Sequence, residues 1–439
     1  MSRPTPARRV AYETLRRVFE EGAWADRALR SAASRVGIEG RERAQAQALA
    51  YGAVQRRGSS DYFAALLADR RVAKIDPPLL AALRLGLYEL LWAESADHAA
   101  VDQAVSLAKG PGGRRRGAGL VNAVLRRAAR ERETLLGDLS EDDPQAAALM
   151  HSVPEWLAEL WWSELGAGEA RSLLAAVNRP AERAFRVSSG DVEGLLERAP
   201  LQASRAAGPG PAPEGLIVVD GGEWEWVEEA IAEGELVPQS RASALVVDVL
   251  APRPGERVLD LCAGPGIKAS AIAASLGDDG RGLVAVERDP GRAAELRELL
   301  ARTGAPAAEV IEADAAGPPP EGGFDAVLVD PPCTGLGTLA SRPDARWRRS
   351  PTDIAELAAL EAAILARGLE ALRPGGRLVY STCTISRAEN EAVVAAAGGS
   401  VVDLGAAHPG LASAEDPRCL QTRPDRDGTD GFFIASLLP

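Results

Sequence analysis

From Ser240 to the C-terminus, short unbroken apolar segments alternate with longer amphipathic ones, and this alternation restricts the possible folds more than any other feature of the chain. The apolar segments are 257–262, 282–287, 308–312, 326–329, 377–381 and 432–438. They are β-branched-rich and continuous rather than alternating, as expected of strands covered on both faces. The stretches between them, such as 292–302 and 353–372, carry helical spacing. The pattern predicts a Rossmann-like, doubly wound parallel sheet over 237–439, an α/β fold. Such sheets bind ligands beyond the carboxyl ends of their strands, so strand-end residues are the first candidates for chemistry.

The rest of the chain has a different texture. Residues 8–19 place Val10, Thr14, Leu15 and Val18 at spacings of three and four, and 43–54, 62–67, 78–92 and 119–130 are similarly amphipathic. Pro77 and Pro78 mark a helix start. No strand alternation is visible here, and an all-helical domain over 1–140 is expected. Residues 110–117, GPGGRRRG, read as a flexible basic loop able to approach a phosphate backbone. An acidic linker is expected over 138–150, then a small α/β module over 150–236. That module has a Trp-rich helix over 154–165, strands at 183–187 and 216–219, and a Gly/Pro/Ala-rich loop over 205–215.

Charge separates the two ends. The net charge is −13, yet residues 1–140 hold 24 Lys plus Arg against 16 Asp plus Glu, or +8, leaving −13 − 8 = −21 for the remainder. A basic module ahead of an acidic one suggests a polyanion-facing part joined to an enzyme. No apolar run approaches the ~20 residues a membrane helix needs, and the N-terminus lacks a signal-type apolar core. A cytoplasmic protein with no membrane partner is expected. The cysteines, Cys262, Cys333, Cys383 and Cys419, form no Cys-x-x-Cys pair, and His98, His151 and His408 are scattered, so neither a disulfide framework nor a metal site is expected. Arginine supplies 47 of the 50 basic residues, so a retained lysine such as Lys268 stands out.

Lys268 closes a glycine-rich loop. The first strand runs into Cys262, Ala263, Gly264, Pro265, Gly266, Ile267 and Lys268 and then a helix, which lets backbone approach a ligand closely. Glu287 ends the second strand, where a carboxylate can accept both hydroxyls of a ribose, and Asp314 ends the third, within reach of an adenine amino group. Together these predict a nucleoside site. The fourth strand ends in Asp330-Pro-Pro-Cys333, a loop stiffened by its prolines. The fifth ends in Ser381-Thr-Cys383-Thr, so two cysteines are expected at neighbouring strand tips.

These loops, in this order, resemble the bacterial ribosomal RNA cytosine-C5 methyltransferases of the Nol1/Nop2/Sun group. The likeness is greatest to the RsmB-like subgroup that modifies 16S ribosomal RNA and carries an N-terminal NusB-like domain. Gly119-Leu-Val-Asn-Ala-Val-Leu-Arg126 is similar to that domain's final helix. The resemblance implies that Cys262 to Lys268, Glu287, Asp314 and Asp330 bind S-adenosylmethionine. It implies that Asp330 also contacts the cytosine, that Cys383 is the nucleophile, that Cys333 helps release the product and that Lys268 supports the site electrostatically. The implied partner is RNA, acted on by a monomer.

That chemistry needs these residue types. Carbon 5 of cytosine is a poor nucleophile, and a thiolate adding at carbon 6 makes it enamine-like. The carbon 5 proton must then leave and the sulfur–carbon bond break, which gives a second thiol a purpose. The base must be unstacked to be reached. Gly264 and Ile267 stand where the family's loop has alanine and a second glycine, Glu287 where it has aspartate, and Ser240 where it often has aspartate. Isoleucine does not readily take a positive φ, so a different turn is expected at 267. Arg346-Trp347-Arg348-Arg349 is similar to a basic aromatic segment of the family, read here as an RNA stack and clamp. Two other functions fit the same residues: a transfer-RNA methyltransferase, and an RNA-binding factor with a degenerate catalytic part. A DNA cytosine methyltransferase fits less well, because that class uses the Pro-Cys cysteine as nucleophile.

Overall fold

The computed structural model describes residues 3–93, 95–110, 115–321 and 323–439. The chain forms two compact units, Met1–Arg179 with Leu339–Arg348, and Pro180–Thr338 with Arg349–Pro439.

The first unit is helical. Its helices are α1 (Pro6–Glu20), α2 (Ala25–Val36), α3 (Gly40–Gln55), α4 (Arg57–Ala68), α5 (Pro77–Leu91), α6 (Asp97–Lys109), α7 (Ala118–Gly137), α8 (Pro144–His151), α9 (Glu155–Leu165) and α10 (Ala167–Ala176). The α5 sequence is apolar nearly all round, and such a helix must be enclosed; it packs against α1, α3, α4, α6 and α7. Its two buried charges are matched, Glu89 by Arg8 at 2.6 Å and Arg84 by Asp61 at 2.7 Å. Helices α2 and α6 escaped the sequence reading. The face α2 buries is Ala25, Ala28, Leu29, Ala32 and Ala33, and alanine gives little hydrophobic contrast. Part of the basic loop at 110–117 lies outside the described residues.

Two expectations are corrected in this unit. The acidic stretch 138–150 is not all linker, because α8 begins within it. Asp143 is the N-cap, its Oδ1 accepting from Ala146 N at 2.8 Å, with Pro144 in the first turn. The Arg346-Trp347-Arg348 segment is no exposed clamp. Arg346 is 0% exposed and donates to the carbonyls of Ser152, Val177 and Leu339 and to Asn178 Oδ1. Trp347 donates Nε1–H to the Val54 carbonyl at 2.7 Å, and Arg348 pairs with Asp344 at 2.8 Å. A guanidinium has five donors in a rigid fork, so it can tie several helix ends together as readily as grip phosphate.

The second unit holds two sheets. The smaller is antiparallel, β1 (Ala184–Val187), β2 (Leu201–Arg205), β3 (Leu216–Gly222) and β4 (Leu236–Pro238), in the order β2-β3-β1-β4. Helices α11 (Val192–Arg198) and α12 (Trp224–Ala232) complete a βαββαβ motif. After α13 (Arg241–Leu250) comes the larger sheet: β5 (Val258–Asp260), β6 (Leu283–Glu287), β7 (Glu309–Glu312), β8 (Phe324–Val329), β9 (Leu372–Thr382), β10 (Ser400–Val401), β11 (Leu420–Gln421) and β12 (Phe433–Leu438). Strands β7, β6, β5, β8 and β9 lie parallel in that spatial order, and β12 and β10 continue the sheet antiparallel. Helices α14 (Ile267–Leu276), α15 (Pro290–Arg302) and α16 (Pro351–Ala371) pack on it.

Strand order reverses between β5 and β8, which opens the crevice where ligands bind in doubly wound sheets. The inner strands β5 and β6 are buried along their whole length, whereas the edge strand β7 has exposed glutamates at both ends. Arg241 anchors the small sheet's long loop and the C-terminal segment. It pairs with Glu182 at 2.8 Å and donates to the carbonyls of Pro209, Pro211 and Asp427. Ser240 is the N-cap of α13, accepting from Ser243 N at 3.3 Å, so the serine serves this helix where the family often has aspartate.

Candidate active site

The glycine loop follows β5 directly. Gly264 and Gly266 hold φ of 57° and 101°. Ile267 takes no such value and is instead the first residue of α14, so the isoleucine meets no backbone strain there. The chain reverses on the two glycines, and a side chain is tolerated where helix begins. Cys262 lies within this loop, its thiol pushed well up by burial and the surrounding carboxylates.

Lys268, on the first turn of α14, reaches the end of β8. Its Nζ lies 2.6 Å from Asp330 Oδ2 and 5.0 Å from the centre of the Phe432 ring. Asp330 Oδ1 accepts from Ser381 Oγ at 2.9 Å. One carboxylate thus joins the glycine loop to the end of β9. Glu287, 6% exposed, ends β6; its Oε1 accepts from Asp289 N at 2.7 Å and faces Arg292 at 3.1 Å. Asp314 follows β7, its Oδ1 accepting from Ala316 N at 3.0 Å. All the expected site residues therefore sit beyond the carboxyl edge of one sheet.

Two cysteines from loops fifty residues apart meet there. Cys333 Sγ and Cys383 Sγ are 3.2 Å apart. Cys333 is buried and Cys383 half-buried. Gly337 N donates to the Cys383 carbonyl at 3.0 Å, and Gly431 N to the Gly337 carbonyl at 2.8 Å, so backbone stitches the two loops together. Asn390 holds the other side, accepting from Thr382 Oγ1 at 2.6 Å and donating to the Thr384 carbonyl at 3.3 Å.

Several site residues were not singled out in the sequence. Asp260 is fully buried at the end of β5, its Oδ1 accepting from Cys262 N at 3.3 Å while its Oδ2 has no partner among the described residues. Burial and then the charge of Asp330 push its carboxyl up to about 7. A strand-end acid just ahead of the glycine loop was the available signal. Ser381, Thr334, Glu389 and Glu361 also surround the site, and only their adjacency to the cysteine loops, or none at all for Glu361, pointed to them. Among the described residues, no group of three or more His, Cys, Asp or Glu is placed to hold a metal ion. No helix among them is long and apolar enough to cross a membrane.

A doubly wound sheet with an antiparallel strand beside its fifth parallel strand, bearing a glycine loop after β5 and acids after β6 and β7, defines the class of Rossmann-like S-adenosylmethionine-dependent methyltransferases. Comparison with known proteins narrows this. Residues 247–438 match the family described as 16S rRNA methyltransferase RsmB/F, and residues 5–130 match the NusB family. A Mycobacterium tuberculosis (strain H37Rv) protein described as a methyltransferase is 38% identical over 98% of this chain and 96% of its own. The ribosomal RNA small subunit methyltransferase B of Thermus thermophilus is 35% identical, over 90% of this chain and 89% of its own. The crystal structure of PH0851 shares the fold, with a TM-score of 0.80 at 24% identity and both chains covered in full. The chain belongs to the RsmB/F family of 16S rRNA methyltransferases, with a NusB-family domain at its N-terminus.

Proposed function

We propose that this protein methylates carbon 5 of a cytosine in 16S ribosomal RNA, using S-adenosylmethionine and a transient bond between Cys383 and the base. The observation that carries the proposal is the 3.2 Å approach of Cys333 and Cys383 beside the Lys268–Asp330 pair. Methyltransferases acting on an already nucleophilic atom need no thiol, so two meeting thiols favour a carbon target. The names of the full-length relatives favour ribosomal over transfer RNA. The intact thiol pair and charged pair speak against a degenerate factor.

The residues fit the cofactor. Among the described residues Asp260 offers a buried carboxylate oxygen without a partner, suited to a cationic donor, and at Gly264 a side chain would meet only the Cys262 carbonyl oxygen, at 3.9 Å, while its φ disfavours any side chain. Residues 262–268 with Glu287, Asp314 and Asp330 would hold it, Glu287 at the ribose and Asp314 at the adenine. S-adenosylmethionine supplies the methyl group as an electrophile. Cys383 as thiolate adds to carbon 6, and carbon 5 gains nucleophilic character. Asp330, fixed by Lys268 and Ser381, meets ring nitrogen 3 and, when it carries a proton to donate there, stabilises the negative charge that develops on the ring. Transfer of the carbon 5 proton to water then lets its bonding electrons restore the 5,6 double bond and expel Cys383 as a thiolate, with Cys333, 3.2 Å away, donating its S–H to the departing sulfur.

The test is to incubate Cys333→Ser and Cys383→Ser with S-adenosylmethionine and naked 16S ribosomal RNA and run a denaturing gel. The expected result is a covalent protein–RNA adduct with Cys333→Ser and none with Cys383→Ser. A reversed pattern overturns the thiol assignment. Absence of adduct from both, while wild type methylates this RNA, overturns the covalent route, and an inert wild type overturns the substrate.

A further inference from the structure

Behind the two thiols lies a buried acid pair that the proposed chemistry does not use. Glu389 and Glu361 are both 0% exposed. Glu389 Oε1 accepts from Thr334 N at 2.7 Å and its Oε2 from Thr334 Oγ1 at 2.6 Å. Because the Thr334 hydroxyl hydrogen is committed there, the 2.7 Å contact between Thr334 Oγ1 and Thr384 Oγ1 has Thr384 as donor. One carboxylate therefore fixes the residue after Cys333, and through it the residue after Cys383.

Tyr380 Oη donates to the Glu389 carbonyl oxygen at 2.6 Å and lies 3.2 Å from Glu361 Oε2. Both Glu389 carboxylate oxygens accept from Thr334, whereas Glu361 Oε1 has no partner among the described residues. Burial and then the charge of Glu389 push the Glu361 carboxyl up to about 9, and burial raises Glu389 as well, against the Thr334 donors that lower it. The donor-lined position therefore favours the pair's negative charge on Glu389.

We propose that Glu389 is a positioning residue that gives the two thiols different roles, holding the Cys333 loop in place and keeping Cys333 a neutral thiol so that the thiolate resides on Cys383. A thiolate at Cys333 would add a second negative charge in a buried place already holding Glu389. At half-buried Cys383 the charge is nearer water and can accept the Cys333 S–H across 3.2 Å. Among the described residues, Cys383, Glu389, Glu361 and Tyr380 interact most strongly with Cys333, and none of the four is cationic. Arg349 directs its hydrogens to the carbonyls of Cys333 and Thr334, at 3.0 and 3.1 Å, and Lys268 is matched by Asp330. The Cys333 thiol is raised well above the ordinary range, first by its contact with Cys383, then by burial, then by the negative charges of Cys383, Glu389 and Glu361. The inference rests on the two-thiol reading above for its purpose, but its measurement does not.

The experiment is alkylation of the full-length chain by iodoacetamide at low conversion, from pH 6 to pH 10, without RNA or cofactor, with each cysteine peptide quantified by mass spectrometry. In wild type, Cys383 should react first and Cys333 only in the alkaline range. Glu389→Gln, which keeps an acceptor for Thr334 but removes the charge, should raise Cys333 labelling at neutral pH at least tenfold and move its midpoint down. Glu389→Asp should restore the wild-type midpoint while still slowing methyl transfer. A folded Glu389→Gln with an unmoved Cys333 midpoint overturns the proposal. Should Glu389→Gln not fold, wild type alone decides: Cys333 reacting ahead of Cys383 overturns it, and the opposite order with an alkaline Cys333 midpoint supports it. Failed methylation of RNA with this labelling pattern intact overturns the substrate reading alone.

Discussion

Gly337→Ala should disable this protein without touching a side chain of the site. A Cβ at residue 337 would stand 1.9 Å from the Gly431 carbonyl oxygen, 2.6 Å from its carbon and 2.8 Å from its Cα. Carbon and carbonyl oxygen come no closer than about 3.3 Å even in favourable contacts. The backbones must therefore part by about 3.3 − 1.9 = 1.4 Å. No flexible side chain can absorb that movement, since both partners are main chain. Two hydrogen bonds span the junction, Gly337 N to the Cys383 carbonyl at 3.0 Å and Gly431 N to the Gly337 carbonyl at 2.8 Å. Each is worth about 1 kcal/mol, and more if a buried group is left unpaired, so a stability loss of about 2–4 kcal/mol is expected. Displacing the thiol loops by about 1 Å should slow methyl transfer by roughly 10²-fold. The assay is transfer of labelled methyl from S-adenosylmethionine to 16S ribosomal RNA, beside urea unfolding and calorimetric cofactor binding. Gly410→Ala, whose Cβ would meet nothing within 4 Å, is the control and should stay within about 0.5 kcal/mol. A Gly337→Ala protein with wild-type unfolding midpoint and a rate within about threefold of wild type would refute the argument.

Other consequences follow from single groups. Lys268→Met leaves Asp330 held by Ser381 alone, so transfer should fall roughly 10²-fold, with calorimetric cofactor affinity and the unfolding midpoint lowered beside it. Asp260 has its carboxyl raised to about 7 by burial, so the folded state holds a proton that the unfolded state releases near its ordinary value. That contribution is complete below about pH 4 and disappears as pH rises through about 7, a gap of about 3 units or about 4 kcal/mol. Wild type should thus lose ground to Asp260→Asn across this window in urea unfolding, and a pH-independent difference between the two would contradict the assignment. Arg241→Met strands the Glu182 carboxylate and three carbonyls, and should cost about 3–5 kcal/mol in the same assay.

The sequence by itself determined the classes of fold and the edge where chemistry is placed. Short unbroken β-branched segments fit strands covered on both faces, as β5 and β6 are though the edge strand β7 is not, and their alternation with helices pointed to a parallel sheet whose strand ends converge. That Cys262 to Lys268, Glu287, Asp314, Asp330, Cys333 and Cys383 lie at or just beyond strand ends was legible, because local pattern marks where a strand stops. The alanine-faced α2 was not legible, because alanine serves equally on either side of a helix. The acidic run ahead of α8 was misread because composition outweighed the Asp143-Pro144 start signal. Arg346 shows the same limit more sharply: a basic aromatic segment has one composition whether it faces solvent or fills a core, and only its four buried acceptors decided that it fastens the helical unit. Which thiol lies against the acid pair was likewise a tertiary matter. Glu361 and Glu389 come from distant points on the chain, and what they do to Cys333 depends on burial and on a few ångströms of separation. Local sequence fixes periodicity and strand ends, whereas the protonation of a buried group is set by whatever the fold brings around it.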